Sequence, residues 1–512
     1  MPAFASRFQF VCLLIILLSW LPPVSAEPPV NIGDRRELFL ERGLIDQITG
    51  DADLRLQKPV AREVVIKFDQ LWEGSSSGYH TIIQEGDLYR LYYRGSHLIV
   101  SEGKLNTGSH KPYYCYAESK DGIHWSRPEL GIVEFKGSKK NNIILEGKGC
   151  HNFAPFLDEN PDCKPEGKYK ALGGLQGEGG LFAFQSADGI HWGLMQDEPV
   201  ITKGAFDSQN LAFWDSEQKQ YRTYYRVFTG GVTDSKTWKP EGDRAIQTAT
   251  SPDFIQWENV ADLVYEDSPS EELYTNQVKP YFRAPHFRIG FPARYIERGW
   301  SESMRALPDY ERRKMRASSV ERYGTAISEG LLMASRDGVH FKRWNEAFLR
   351  PGIERPGTWQ YGHQFIAENV VQTKSAFEGA PDELSLYAAE DYWHGKGGAL
   401  RRYSLRLDGF TALHASMKGG ELLTVPITFT GKELSLNFST SAAGSLYVEI
   451  QSAEGDPIPG FAFKDCDELF GDSVDRRVTW NKKSDVSSLT GKPVRLQFRL
   501  KDADLFSYQF QN

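Results

Sequence analysis

The chain has 512 residues, of which 40% are hydrophobic, 13% aromatic and 25% charged. This composition excludes an intrinsically disordered chain, a collagen-like chain and a coiled coil, and it leaves ample apolar material for a core. The formal net charge of −8 argues against a nucleic-acid partner, because such proteins neutralise phosphates with an excess of Lys and Arg.

Residues 1–26 have the pattern of a secretory signal peptide. Arg7 supplies the positive charge, an apolar run follows from Phe8 to Leu21, and Val24-Ser25-Ala26 fits the cleavage rule. The apolar run is shorter than the roughly 20 residues of a membrane span, although an uncleaved anchor is the alternative interpretation. The sequence therefore predicts a secreted or periplasmic protein with no membrane contact after cleavage.

Four cysteines follow this segment, namely Cys115, Cys150, Cys163 and Cys466. An even number of cysteines in an exported protein permits disulfides, and Cys150 and Cys163 are near enough in sequence to close a small loop. Buried free thiols are the alternative. No spacing of Cys and His is typical of zinc, so the sequence predicts no metal and no cofactor, with a structural calcium ion left open.

A seven-residue pattern recurs along the chain. Ser119–Trp125 returns as Ser186–Trp192 and Ser335–Phe341, in degraded form as Ser251–Trp257, and weakly at Asp408-Gly409-Phe410. The pattern predicts a hairpin turn, because Asp bonds to backbone amides in turns and Gly tolerates a positive φ. These aspartates are therefore interpreted as turn residues and not as catalysts.

Three segments with alternating apolar residues precede each turn and a fourth follows it. The repeated unit is thus strand A, strand B, strand C, the Asp-Gly turn and strand D, and five units predict an all-β, five-bladed β-propeller over residues 27–415. Residues 27–60 form an N-terminal extension that either covers the first blade or closes the ring. Residues 416–512 lose the repeat and predict a β-sandwich domain.

The connectivity of an up-and-down blade predicts where a site would lie. The starts of the A strands and the ends of the B strands share one face, and the A strands line the central channel. The candidate catalytic residues there are Glu73, Asp207, Glu272 and Glu390. The candidate substrate-binding residues are Asp69, His151, Asn152, Asn210, Tyr274, Asn276, Arg94, Arg226, Arg294, Tyr361 and His363.

Carboxylates from several blades around one cavity suit the cleavage of a glycosidic bond, which needs one group to donate a proton and another to activate water or attack. Arginines beside them hold ionised carboxylates or contact an acidic sugar. Simpler interpretations remain open: Asp207 caps a turn, Glu272 belongs to a solvated acidic stretch, and Arg94 and Arg226 are structural ion-pair partners. A basic insertion, residues 296–323 in the fourth blade, lies over the same face.

The repeated S-x-D-G-x-x-W turns, the blade pattern and the trailing sandwich resemble the five-bladed propeller glycosidases of the arabinanase, levansucrase and invertase superfamily, which includes glycoside hydrolase families 32 and 43. They are also similar to an uncharacterised secreted group of planctomycete-type bacteria. The resemblance implies three catalytic acids on inner strands, with Glu73 or Asp69 in the first place and Asp207 in the third. The N-D-P-N-G and R-D-P motifs are absent, and His151-Asn152 stands where an aspartate is expected.

Together these features predict an exported glycoside hydrolase that acts on a plant or algal poly- or oligosaccharide. Asp207 or Glu272 would be the acid and Glu73 the base or nucleophile. Carboxylates about 5–5.5 Å apart would indicate a retaining mechanism, and about 6.5–9.5 Å an inverting one. The alternative is a non-catalytic carbohydrate-binding propeller with the sandwich as an accessory module.

Overall fold

The computed structural model of the protein describes residues 28–108, 110–394 and 397–512, and the predicted signal peptide lies outside them. The described chain consists mainly of β-strands, with three short α-helices, Glu302–Ala306, Tyr310–Ala317 and Arg322–Thr325. None of the helices in these ranges is long and apolar enough to cross a membrane. Cys115, Cys150, Cys163 and Cys466 are all free thiols.

Five sheets, each built around four antiparallel strands in the spatial order A-B-C-D, form the blades of a propeller. Blade 1 contains Gly78–Glu85, Leu88–Gly95, Tyr113–Ser119 and Trp125–Ser126; blade 2 contains Ala154–Leu157, Tyr169–Gly173, Phe182–Ser186 and Gly193–Leu194; blade 3 contains Leu211–Asp215, Gln220–Thr233, Trp238–Ser251 and Glu258–Asp262; blade 4 contains Lys279–Tyr281, Ala284–Gly290, Met333–Ser335 and His340–Arg343; blade 5 contains Val371–Thr373, Glu383–Glu390, Ala399–Arg406 and Val60–Lys67. Six further short strands lie beside the blade strands, namely Ile99–Ser101, Lys104–Asn106, Ile143–Glu146, Val264–Tyr265, Ala293–Glu297 and Ala326–Gly330. The predicted fold class is confirmed.

Aromatic side chains fill the spaces between neighbouring blades. Tyr92 in strand B of blade 1 packs edge-on against Trp192 of blade 2, with ring centroids 6.5 Å apart. Its neighbour Tyr93 faces the other way and packs 4.7 Å from the ring of Phe68, which follows strand D of blade 5. Successive side chains of a strand point to opposite faces. A blade that packs between two other blades therefore carries apolar side chains on both of its faces. This packing accounts for the high aromatic content.

The N-terminal extension divides between the two domains. Val60–Lys67 pairs with Ala399–Arg406, so the ring is closed by a strand from the start of the chain. The preceding strands Val30–Gly33, Arg36–Leu38 and Ile45–Leu56 pair instead with strands of the C-terminal domain. Residues 30–56 therefore neither cover the first blade nor close the ring, and the C-terminal domain is built from both ends of the chain.

The sandwich domain forms around long strands that bend and change register. Its strands are Val30–Gly33, Arg36–Leu38, Ile45–Leu56, Thr411–Thr424, Ile427–Phe429, Glu433–Ser452, Asp472–Arg477 and Val494–Gln511. Glu433–Ser452 pairs with Val494–Gln511 along most of its length, with a register shift between Thr440 and Ser445. Because a register shift bends a strand pair, these two long strands curve around a core that includes Phe438, Trp480 and Phe498.

The turn between strands C and D has the same hydrogen bonds in four blades. In blade 1 the Asp121 carboxylate accepts the backbone N–H groups of Ile123 and His124, each at 2.8 Å. Gly122 has a φ of 74°, and Phe254 at the same place in the degraded copy has a φ of 69°. A bulky residue rarely adopts this left-handed conformation, so the surrounding turn imposes it on Phe254.

The fifth copy of the motif is not such a turn, because strand D of blade 5 comes from the N-terminal part of the chain. Asp408 is instead fully buried and accepts hydrogen bonds from Tyr281 at 2.8 Å, Arg283 at 2.8 Å and Ser507 at 2.8 Å. Its carboxylate thereby joins blades 4 and 5 to the sandwich domain.

We expect the turn aspartates to make stability fall in acid. Burial raises the pKa of Asp337, but hydrogen bonds from backbone amides and from His340 outweigh it and lower the pKa to about 2. Folding therefore favours the ionised carboxylate, and this stabilisation is complete above the ordinary Asp value of about 3.9 and is lost as the pH falls towards 2. The measurement is the thermal unfolding temperature of the wild type and of Asp337→Asn between pH 5 and pH 2.5. An unfolding temperature that falls as steeply with pH in the variant as in the wild type would contradict the prediction.

Candidate functional site

A cluster of polar and aromatic side chains occupies the face where the A strands begin and the B strands end. We call it the arginine–tyrosine cluster, and it comprises Tyr79, Arg94, His151, Asp207, Arg226, Tyr274, Tyr361 and Tyr392. These residues come from all five blades or the loops that lead into them. The cluster therefore exists only when the ring is closed.

Asp207 is the carboxylate of this cluster and precedes strand A of blade 3. Its Oδ1 accepts a hydrogen bond from the Tyr79 hydroxyl at 3.2 Å and lies 2.9 Å from His151 Nε2. The side chain is 53% exposed, so a ligand can reach it. Burial of its surroundings opposes ionisation, but the contact with His151 and the nearby charges of Arg226 and Arg94 lower the pKa of Asp207 well below its ordinary value.

Arg94 lies beside Asp207 and is buried. Its guanidinium stands 4.5 Å from the centre of the Tyr79 ring and donates to the Ser76 carbonyl at 3.2 Å and to the Tyr392 hydroxyl at 3.4 Å. Its Nη1 lies 3.1 Å from the same His151 Nε2 that faces Asp207. One imidazole nitrogen either donates or accepts, so His151 satisfies one of these two neighbours at a time.

Arg226 occupies the matching position in blade 3. Its Nε donates to the Ala205 carbonyl at 2.8 Å, and its guanidinium stands 5.0 Å from the centre of the Tyr274 ring. The Tyr361 hydroxyl donates to the Tyr274 hydroxyl at 2.9 Å, and the Tyr361 and Tyr392 rings lie 5.7 Å apart. Two arginines and four tyrosines thus surround the Asp207 carboxylate.

Tyr79 is held in a strained backbone conformation. Its φ is 54°, a value that costs an aromatic residue of the order of 1–3 kcal/mol. The Tyr114 hydroxyl donates to the Tyr79 carbonyl at 2.6 Å, and strand A changes register between Gly78 and Thr81. The strain turns the Tyr79 side chain towards Asp207.

A buried ion pair lies further along the A strands. Lys279 Nζ lies 2.9 Å from Glu368 Oε1, and the Thr81 hydroxyl donates to Glu368 Oε2 at 2.8 Å. Gln277 donates to Gln209 Oε1 at 2.8 Å beside this pair. Lys279 and Gln277 also line a cavity of about 630 Å³, together with Phe156, Trp214 and Phe282 among other residues.

Three of the four expected catalytic carboxylates lie in structural ion pairs. Glu73 is fully buried, 2.7 Å from Arg127 Nε, and burial raises its pKa against the opposing effect of Arg127. Glu390 is buried between Arg355 at 2.6 Å and Arg401 at 2.8 Å, and Glu272 pairs with Arg244. Their catalytic role stays a prediction, and in the structure an arginine pairs with each of these carboxylates.

Three candidate binding residues also lie elsewhere. Asp69 is exposed and contacts its neighbour Gln70, and Arg294 pairs with Glu271 and Glu329. His363 is fully buried, and burial lowers its pKa to about 3. These positions do not present their side chains to the cluster.

The asparagines at the starts of the A strands form hydrogen bonds with backbone groups. Asn152 donates to the Gly174 carbonyl at 2.9 Å, and Asn210 Oδ1 accepts the Arg226 N–H at 3.2 Å. Asn276 donates to the Tyr224 carbonyl at 3.3 Å. Each amide joins the start of a strand A to the chain beside it, and a role in substrate binding stays a prediction.

Sequence reasoning missed Tyr79 and Tyr392. Both lie at positions that the connectivity singles out, since Tyr79 begins strand A of blade 1 and Tyr392 follows strand B of blade 5. Tyrosine is common throughout this chain, with 23 copies, and nothing in the residue type marked these two. A search for every polar side chain at those positions would have found them.

No family model and no curated protein matches the chain. Solved structures resemble it weakly. An N-acetylgalactosamine deacetylase from F. plautii, in complex with blood group B trisaccharide, is 12% identical with a TM-score of 0.42, over 68% of this chain and 94% of that one. A thermostable family-43 glycoside hydrolase is 14% identical with a TM-score of 0.39, over 64% and 89%. A glycosyl hydrolase from Bacteroides ovatus is 13% identical with a TM-score of 0.35, over 70% and 96%.

Proposed function

We propose that the protein is an exported glycoside hydrolase that binds a glycan in the arginine–tyrosine cluster and cleaves it with Asp207. The observation that carries the proposal is the half-exposed Asp207 carboxylate, which accepts a hydrogen bond from Tyr79 and lies beside the other tyrosines of the cluster. Sugar rings present C–H faces that pack on aromatic side chains, and Tyr hydroxyls hydrogen-bond sugar hydroxyls. Tyr361 and Tyr392, which are half-buried, would supply these contacts.

The lowered pKa supports one of the two catalytic roles for Asp207. A carboxylate that stays ionised accepts a proton, attacks the anomeric carbon or stabilises positive charge on the sugar ring, whereas a general acid needs a raised pKa. This reverses the acid role expected from the sequence. His151 Nε2, 2.9 Å from Asp207, would hold this carboxylate in position, and the leaving oxygen would take its proton from solvent water.

A non-catalytic carbohydrate-binding propeller is the second candidate. The observation that favours it is the pairing of Glu73, Glu272 and Glu390 with arginines. Hydrolysis of most glycosides uses two carboxylates, and among the described residues Asp207 is the single carboxylate hydrogen-bonded within the cluster.

A screen of the purified protein against plant and algal glycans distinguishes the two functions. Mass spectrometry would detect products that have gained one water for each bond cleaved, and NMR of the fresh product would report retention or inversion. Cleavage of one glycan class supports the hydrolase. Saturable binding by calorimetry without any cleavage product would support the binding propeller and contradict the hydrolase.

A further inference from the structure

The buried arginines of this protein fall into two groups. Eight Arg side chains are buried among the described residues, namely Arg94, Arg222, Arg226, Arg288, Arg313, Arg316, Arg343 and Arg402. Four of them pair with carboxylates. Arg222 and Arg288 share Asp215, Arg343 pairs with Glu271, and Arg402 pairs with Glu63 and Glu383.

The other four, Arg94, Arg226, Arg313 and Arg316, have no carboxylate within 4.0 Å in the described part of the chain. All four lie on one side of the propeller: Arg94 and Arg226 belong to the arginine–tyrosine cluster, and Arg313 and Arg316 lie on helix Tyr310–Ala317 of the blade 4 insertion.

The insertion is joined to the cluster by Arg316. Its guanidinium donates to Gln360 Oε1 at 2.8 Å and to the carbonyl of Tyr392 at 3.1 Å, and its charge stands 5.0 Å from the centre of the Trp393 ring. Tyr392 in turn accepts from Arg94 at 3.4 Å. Burial lowers the pKa of Arg316 to about 9, as expected where a positive charge has lost water without gaining a counter-charge.

An isolated buried charge is costly, and proteins keep such groups chiefly where function uses them. Asp207 offsets one positive charge of the cluster, but Arg94 and Arg226 together carry two. Their guanidinium groups lie over the rings of Tyr79 and Tyr274 and hydrogen-bond mainly to neutral oxygens. An anionic ligand would therefore meet an excess of positive charge that is already desolvated and positioned.

We propose that the glycan recognised by this cluster carries an anionic group, a uronate carboxylate or a sulfate ester, which binds Arg94 and Arg226. A planar carboxylate and a tetrahedral sulfate ester each present two anionic oxygens that can accept two hydrogen bonds from one guanidinium. This inference rests on the proposed function for the sugar, and on the buried arginines alone for the charge.

Binding to matched glycan pairs tests the inference. Calorimetry would compare oligogalacturonides carrying free carboxylates with the same oligomers fully methyl-esterified, and carrageenan oligosaccharides before and after chemical desulfation. We expect the charged member of one pair to bind about tenfold more tightly or better, and to lose this advantage at high NaCl concentration. The pair that responds identifies the carboxylate or the sulfate as the anion.

Arg94→Gln and Arg226→Gln are expected to remove the preference for the charged member. Arg94→Lys and Arg226→Lys keep the positive charge but cannot form the bidentate hydrogen bonds, so these variants should retain part of the preference. Arg55→Gln is the matched control, because Arg55 is an exposed residue of the sandwich domain, and it should keep the full preference. Circular dichroism and thermal unfolding would establish that every variant is folded.

Inorganic sulfate gives a readout that needs no glycan. At constant ionic strength, sulfate should raise the unfolding temperature of the wild type more than that of Arg94→Gln or Arg226→Gln, since the general stabilisation by excluded sulfate acts on all of them equally. A larger response in the wild type supports the inference. Equal responses, together with equal affinity for charged and neutral members of both pairs, would overturn it.

The proposed hydrolase activity and the proposed anionic ligand can be contradicted independently of each other. Hydrolysis of a neutral glycan without any preference for charge would overturn the anionic ligand and leave the hydrolase standing. Arg-dependent binding of a charged oligosaccharide that is never cleaved would support the anionic ligand and contradict the hydrolase.

Discussion

Asp207→Asn is expected to reduce kcat for glycan hydrolysis by about 10²–10⁴-fold, the range for loss of a positioned acid–base group. Asn has the shape of Asp but carries no negative charge and accepts no proton, so hydrogen bonds to Tyr79 survive while the chemistry does not. The side chain is half exposed, so the variant should fold. The measurement is kcat and KM on the glycan identified in the screen, with KM changing far less than kcat.

Asp262→Asn is the control for this experiment. Asp262 lies at the end of the outer strand of the same blade, is exposed, and bonds to Gln247. Its replacement should leave kcat unchanged. Full activity of Asp207→Asn, or a greater loss in Glu73→Gln than in Asp207→Asn, would show that the carboxylate assignment is wrong.

Asp215→Ala is expected to lower the free energy of unfolding of the propeller by about 3–5 kcal/mol. Asp215 is 1% exposed, and both of its oxygens lie 2.6 Å from Arg288 Nη2, with Arg222 Nε at 3.4 Å. Removing the carboxylate leaves two buried guanidinium groups between blades 3 and 4 without a counter-charge. Urea unfolding followed by tryptophan fluorescence would measure the loss.

Asp53→Ala provides the comparison for this loss. Asp53 pairs with Arg55 at 2.9 Å, and both side chains are at least half exposed. An exposed ion pair contributes about 0–1 kcal/mol to the free energy of unfolding, so the urea concentration at the unfolding midpoint should hardly change. Similar effects of the two substitutions would mean that the Asp215 carboxylate does not stabilise the blade interface.

Asp215 and Asp207 belong to the same blade, but one is a structural ion-pair partner and the other is the proposed catalytic group. Asp215 ends strand A of blade 3 inside the ring and faces arginines that need a counter-charge. Asp207 precedes the same strand at the open face, where tyrosines and a histidine hold it without covering it. The seven residues between them run from the exposed face into the buried strand, so the two carboxylates have different surroundings.

The sequence by itself determined the propeller and the face on which a site would lie. The Asp-Gly turns are local structures, since Asp121 bonds to amides two and three residues further on, and their spacing counts the blades. Strand connectivity then places Arg94, Arg226 and Asp207 on one face without any knowledge of distances.

Only the tertiary structure decided which of the candidate carboxylates pair with an arginine. Glu73 and Asp207 look alike in sequence, but Glu73 meets Arg127 from a loop 54 positions away, and Glu390 meets Arg355 from 35 positions away. The pairing of Ile45–Leu56 with Thr411–Thr424 is likewise invisible in either segment alone. Turns depend on neighbours in the chain, whereas the charge and exposure of a side chain depend on residues that meet it after the ring has closed.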